Sequence, residues 1–266
     1  MSMQMALKPT VRLLTLACLV LLSSCGVMSS GDFQPQAVST VNDTVQTYEP
    51  FPLIGFSSVA TEAQASVRWQ HYPLPGKQAT TYRYEWVDGR HAVQATAKMS
   101  ASMLRQSMRF APARLGMIRF SWKVPQLIAG ADLALRETHD SPVRLALAFE
   151  GDRSVFSMKN SMLSELALAV TGEALPYATL MYVWCNSCAQ GEVLSNPRTD
   201  RIREIALESG PSQLGQWRHY ERDIRADFEK AFGESPGALL DVGFMTDTDN
   251  TKQNTTAWYG AVSLVD

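Results

Sequence analysis

The sequence predicts a mainly β protein: an antiparallel β-sandwich of jelly-roll type carrying two short surface helices. Three observations predict it. Roughly ten short runs rich in Val, Ile, Thr, Tyr, Phe and Trp follow one another at close intervals. Breakers such as Pro125 and Gly151 end them after a few residues. A helical period replaces the strand rhythm in only two places.

The first element is a targeting signal rather than part of the fold. Lys8 and Arg12 precede an apolar run over 13–22, and Ser23-Ser24 lead to Cys25. A positive start, a short apolar middle and small residues at the end define a secretory signal. The run is about ten residues, against the roughly 20 needed to span a bilayer as a helix. Ending in Cys, it resembles a bacterial lipoprotein signal, in which Cys25 is lipidated and becomes the first mature residue. Gly26 follows where an Asp favours inner-membrane retention, so outer-membrane sorting facing the periplasm is expected. The organisation read from the sequence is a signal at 1–24, a lipidated N-terminus and flexible linker at 25–62, and the sandwich at 63–266.

Strand candidates then follow in order. Residues 67–72 alternate apolar and polar, and 80–87 are rich in Tyr, Thr and Trp. Asp88-Gly89 predicts a tight hairpin turn into 91–97. Residues 99–109 keep a period of two, with Ala101 and Met103 on one face and Ser100 and Ser102 on the other. Further strands are expected at 117–124 and 143–149. A helix is expected over 157–170, where Met162, Leu166 and Ala169 recur at helical spacing and Gly172 ends the run. Strands resume at 177–184, 201–207 and 217–220. A second helix starts near Asp223, with Ile224, Phe228 and Phe232 on one stripe, Gly233 as its cap and Pro236 beyond. Strands at 239–245 and 257–265 close the chain around a polar loop.

Composition excludes some functions. Formal charge is −2, and −4 once Lys8 and Arg12 leave with the signal, so no basic face for nucleic acid is present. Membrane attachment is left to the lipid at Cys25.

Few motifs carry chemistry. Cys185 and Cys188 form a Cys-x-x-Cys, but Ala189-Gln190-Gly191-Glu192 and Ser195-Asn196-Pro197 follow it as loop chemistry, not the helix that a redox motif requires. Two ligands alone do not make a metal site. In an oxidising compartment the pair is a small loop-closing disulfide or two free thiols. Thr246-Asp-Thr-Asp-Asn-Thr251 concentrates oxygens between the last two strands. It is a candidate ligand site through Asp247, Asp249, Asn250 and nearby Trp258, and Asp247 and Asp249 are the candidate ligands should calcium bind. An EF-hand pattern fails there, because Lys252 and Trp258 stand where Gly and Glu are required; otherwise the loop is a hydrogen-bonded hairpin connection. Six tryptophans are more readily core than sugar platform, with Trp122 and Trp184 among apolar neighbours. The four histidines lack metal spacing, and no nucleophile elbow is present. Glu150 and Asp152 flank Gly151 as a weak catalytic pair for glycosides, although acids beside Gly are also ordinary turn chemistry.

Phe120-Ser-Trp-Lys-Val124, Val143-Arg-Leu-Ala-Leu-Ala-Phe149, Tyr182-Val-Trp184, Glu221-Arg-Asp-Ile224, Ala231-Phe-Gly233, the Thr-Asp-Thr-Asp-Asn-Thr run and Trp258-Tyr-Gly260 resemble the bacterial family called domain of unknown function 3047. The resemblance covers roughly 65–265 and implies an exported protein without an established activity. Members often carry an Asp-rich stretch before the Arg-containing strand, whereas Thr138-His-Asp-Ser-Pro142 stands here. The strand order is also similar to galactose-binding-type jelly rolls of carbohydrate-binding modules, a likeness of fold alone. The resulting expectation is a lipid-anchored, non-catalytic module binding carbohydrate or another envelope component. An envelope-glycan enzyme using Glu150 or Asp152, and a structural protein binding partner proteins, are the alternatives.

Overall fold

The computed structural model describes residues 69–265. The expected signal, Cys25, the linker and residues 63–68 lie outside the described residues. Thirteen strands and two α-helices follow in order: β1 (Gln70–Pro73), β2 (Thr81–Val87), β3 (Arg90–Lys98), β4 (Ala101–Phe110), β5 (Met117–Lys123), β6 (Arg144–Phe149), α1 (Met158–Thr171), β7 (Ala178–Cys185), β8 (Val193–Ser195), β9 (Ile202–Ser209), β10 (Trp217–Asp223), α2 (Ile224–Phe232), β11 (Leu239–Asp247), β12 (Asn254–Tyr259) and β13 (Ser263–Val265).

They build two sheets. One has seven strands in the order β1-β4-β11-β6-β7-β9-β8; the other has the order β10-β5-β12-β3-β2, with β13 added to β5. The expected mainly β sandwich is therefore present. Its pairing departs from purely antiparallel in one place, since β9 runs parallel to β7. The chain leaving Cys185 passes through β8 before turning back, which inserts β9 between β7 and β8. A strand at 193–195 also replaces part of the loop expected after the cysteines.

Alternation divides each strand between core and outer face. Inward residues such as Phe120, Trp122, Leu145, Leu147, Tyr182, Trp184, Phe244 and Tyr259 form one core between the sheets. Ring pairs such as Phe244 on Tyr259, with centroids 4.4 Å apart, tie the two layers together. β4 keeps its expected period of two but turns its serine face inward: Ser102 Oγ lies 2.9 Å from His71 Nε2 and accepts from the Thr80 amide at 2.9 Å. The β2–β3 turn has positive φ at Asp88 (50°) and Gly89 (73°), the geometry that lets a two-residue hairpin follow the strand twist.

The helices differ in what they bury. α2 is capped by Asp223, which accepts from the Ala226 amide, and ends at left-handed Gly233; its Ile224 and Phe228 enter the core. α1 is capped by Ser157 and ends at left-handed Gly172, but its buried residues are Asn160 and Ser164. Its apolar stripe therefore faces out. Among the described residues no helix is long and apolar enough to cross a membrane.

Candidate functional site

The Asp-rich loop starts where β11 leaves the seven-stranded sheet. Inward and outward residues alternate along β11, so Phe244 and Thr246 enter the core while Met245 and Asp247 point outward. Met245 pairs with Arg144 on β6, and Arg144 also points outward. It is nonetheless fully buried, because the segment between β5 and β6 folds over that face and packs Leu133 on Ala146, Met181, Val183, Cys185 and Ala206. Arg144 donates from Nε to Asp247 Oδ1 at 3.0 Å, from Nη1 to Glu204 Oε1 at 2.7 Å and from Nη2 to the His139 carbonyl at 3.1 Å. His139 Nε2 lies 3.2 Å from the same Glu204 oxygen.

Burial opposes the charge of Arg144, yet Asp247 and Glu204 outweigh it and raise the guanidinium pKa above its usual value. Burial works against Glu204 as well, but Arg144 and His139 hold its carboxyl below the usual range. Asp247 lies above it, because burial and the neighbouring Asp140 outweigh Arg144.

The carboxylates of Asp140, Asp247 and Asp249 present oxygens within 4.8 Å of one another, all buried. Each already has partners. Asp140 accepts from the side chain of Asn250 at 2.9 Å and from both the amide and hydroxyl of Thr251 at 2.6 and 2.7 Å. Asp247 accepts from Arg144 and the Ser141 amide, and Asp249 pairs with Lys77. Calcium requires six to eight oxygens, and these are committed to protein donors, so the donor set fits an internal polar network better than a calcium cage.

Of the expected constellation Asp247, Asp249, Asn250 and Trp258, the structure brings three residues together. The first three share the network, with Asn250 held by Asp140 and Arg198. Trp258 is not with them. On β12, Thr255, Ala257 and Tyr259 point inward, which sends Trp258 to the outer face of the six-stranded sheet, on the far side of the sandwich. Its Nε1 donates to Glu85, and the Lys123 ammonium lies 5.7 Å above its ring. The sequence reading missed Arg144, Glu204 and Asp140. A lone arginine within apolar Val143-Arg-Leu-Ala-Leu-Ala-Phe149 was the available signal, since a strand buried on both faces admits a charge only with a partner.

A concave surface lies elsewhere, on the outer side of the six-stranded sheet. The tip of the β2–β3 hairpin runs beyond the end of β12 and bends toward β10. Asp88 accepts from Trp217 Nε1 at 2.9 Å and from Lys123 at 2.7 Å. Arg90 stacks 4.7 Å over Trp217 and lies 3.2 Å from His219 Nε2. Between this tip and β5, β10 and β13 is a groove of about 740 Å³ lined by Arg90, His91, Arg119, Ser121, His219 and Glu221. Its wall approaches closely at Gly260, whose amide donates to the Ser121 carbonyl at 2.9 Å and where a Cβ would overlap the Ser121 hydroxyl. His91 stacks on Tyr84 at 5.0 Å and meets Trp86 edge-on at 4.6 Å. Trp86 is 63% exposed, a large aromatic face beside an open cavity. Burial, then Arg90 and Arg218, lower the pKa of His219, so the imidazole is held toward its neutral form.

The remaining candidates have local partners. Glu150 forms a two-point pair with exposed Arg109 at 2.9 and 2.7 Å, and Asp152 caps a short 3₁₀ turn by accepting from the Ser154 amide at 2.8 Å. Arg109 holds Glu150 below the usual carboxylate range and Ser154 holds Asp152 there, the opposite of what a general acid needs. Cys185 and Cys188 are joined in a disulfide.

Solved structures similar in architecture include the family 11 carbohydrate-binding module from Clostridium thermocellum in complex with a β-1,3-1,4-mixed-linked tetrasaccharide. It is 8% identical with a TM-score of 0.37, over 74% of this chain and 88% of that one. The family 11 module of the cellulosomal cellulase Lic26A-Cel5E of the same organism is 9% identical, with a TM-score of 0.37 over 74% and 86%. The xyloglucanase domain of NopAA, a type three effector from Sinorhizobium fredii, in complex with cellobiose, is 11% identical, with a TM-score of 0.38 over 74% and 92%. No curated protein matches the chain. The model of a protein family of unknown function, DUF3047, matches residues 67–263. That match takes in both sheets, the buried arginine network and the groove, and with it the chain belongs to the DUF3047 family.

Proposed function

We propose that this chain is exported, lipidated at Cys25 and held at the outer membrane facing the periplasm, where its sandwich binds an envelope carbohydrate without turning it over. The observation that carries the reading is the groove beside the β2–β3 hairpin. Its volume of about 740 Å³ falls within the roughly 300–1,000 Å³ of ligand sites. Its chemistry suits a sugar: the exposed face of Trp86 offers a platform for the CH face of a pyranose. Arg90, Arg119, His219 and Glu221 supply donors and acceptors for ring hydroxyls. The address is supported by Lys8, Arg12, the apolar run at 13–22 and Ser23-Ser24-Cys25.

A glycan array probed with the mature chain tests the groove. Binding without product formation, lost in Trp86→Ala and Arg90→Ala while both variants melt like the parent, is the expected result. Binding that survives both substitutions, or no glycan bound at all, overturns it. For the address, Cys25→Ser should release the protein from sedimenting membranes.

A further inference from the structure

The groove beside the β2–β3 hairpin has the opposite sign to the chain as a whole. The sequence is formally −2, yet the charged lining is Arg90 and Arg119 against Glu221 alone. That carboxylate is already engaged, since Arg119 donates to it at 3.0 Å. Both partners are exposed, so the pair is weak, and the Arg119 guanidinium keeps further N–H groups for a guest. Arg90 is free of such a pair. Asp88, two residues earlier, accepts on Oδ2 from Trp217 Nε1 and Lys123. Among the described residues no carboxylate forms an ion pair with Arg90. Its guanidinium is held instead by stacking over Trp217 at 4.7 Å and by His219 Nε2 at 3.2 Å.

The lining is also rich in donors and poor in acceptors. Arginine only donates, so the His219 Nε2 that faces Arg90 accepts, which leaves the ring proton on Nδ1 as a further donor. Ser121 borders the groove and is 7% exposed. Among the described residues its hydroxyl has no hydrogen-bond partner. A neutral sugar hydroxyl brings a donor with its acceptors and needs both kinds of partner. A carboxylate or phosphate brings acceptors, and guanidinium groups match its geometry.

We infer that the groove takes an acidic saccharide, whose carboxylate or phosphate is met by Arg90, Arg119 and the Ser121 hydroxyl. The inference rests on the proposed carbohydrate function and narrows it from envelope carbohydrate in general to an anionic one. Arg90 is the anchor, because Trp217 and His219 fix its plane before the ligand arrives, so less side-chain entropy is lost on binding. Arg119 supplies the second charge.

The test is isothermal titration calorimetry of the mature chain in about 50 mM NaCl with two matched pairs of probes. Tetragalacturonate is compared with its methyl ester, and mannose 6-phosphate with mannose. In at least one pair the acid should bind roughly tenfold or more tightly than its neutral partner, and the pair that does so identifies carboxylate or phosphate as the group read. The preference should fall roughly threefold or more in about 500 mM NaCl, and by as much in Arg119→Gln. Arg119 is exposed, so that variant should melt like the parent. Arg83→Gln, which removes an exposed cation of β2 outside the groove, should leave the preference unchanged. Equal binding of acid and neutral partner in both pairs overturns the inference and leaves the carbohydrate function standing. A preference that survives Arg119→Gln, or falls equally in Arg83→Gln, also overturns it. Binding of none of the four probes overturns it too, whereas only a blank glycan array removes the carbohydrate function itself.

Discussion

Arg144 is the residue whose loss should be felt most. It is fully buried and bonds Asp247, Glu204 and the His139 carbonyl at once. Replacing it by Met keeps much of the volume and strands two carboxylates in the interior. Breaking a buried pair on one side costs about 3–5 kcal/mol. At about 2–4 °C per kcal/mol for a domain of this size, Tm should fall by about 6–20 °C in scanning calorimetry. Adding Glu204→Gln and Asp247→Asn removes the stranded charges and should recover most of the loss, since a neutralised site no longer demands a counter-charge. The pH dependence gives an independent check with a worked sign. In the parent, Glu204 has a lowered folded pKa, so its contribution is complete above the ordinary Glu value and is lost as pH falls through the folded one. Asp247 is raised, and its ionisation weighs against folding as pH climbs past the ordinary Asp value. Without Arg144 both carboxyls stay desolvated and lose their guanidinium partner, so both folded pKa values rise. The folded variant then binds more protons than the unfolded chain, and its deficit should shrink as pH falls from 7 toward 5. A deficit under about 1 kcal/mol, the exposed-pair range, would refute the reasoning, and so would one that ignores pH or is not relieved in the triple variant.

Three further outcomes are expected. Gly237→Ala places a Cβ against the Glu150 carbonyl oxygen and should cost about 1–3 kcal/mol of overpacking in a urea titration; a neutral result would mean the two segments lie further apart. Opening the Cys185–Cys188 bridge with a double Ser substitution releases a four-residue loop, worth about 2 kcal/mol by chain entropy. The fold should persist, and global unfolding of the variant would contradict that size. Millimolar calcium should leave Tm unchanged, because Lys77 and Arg144 already occupy the carboxylates of Asp249 and Asp247. A rise reversed by chelator would show the ion displacing those cations.

Elements governed by short-range pattern were legible in the sequence, since alternation, turn chemistry and caps act between neighbours in the chain. The Asp88-Gly89 hairpin, the α2 stripe with Gly233 behind it, and buried Trp122 and Trp184 all follow from such patterns. The face that each pattern presents was not legible. Met162 and Leu166 have the spacing of a packed stripe, yet the hydrogen bonds of Asn160 to Asp200 and Thr199, 40 and 39 residues away, hold the opposite side of α1 to the connection between β8 and β9. Asp247 and Trp258 stand eleven positions apart in the chain but on opposite sides of the sandwich, because they belong to strands of different sheets and both point away from the shared core. Arg90 and His219, far apart in sequence, meet at the groove because the hairpin tip runs past β12 and bends toward β10. What the residues determined alone is most of the strands, both helices and the positions of several turns, while β8 at 193–195 formed where a loop was expected. Which charges became an internal network and which aromatics met a cavity depended on strand order, because partners over a hundred residues apart, such as Arg144 and Asp247, come within bonding distance only after the sheets have assembled.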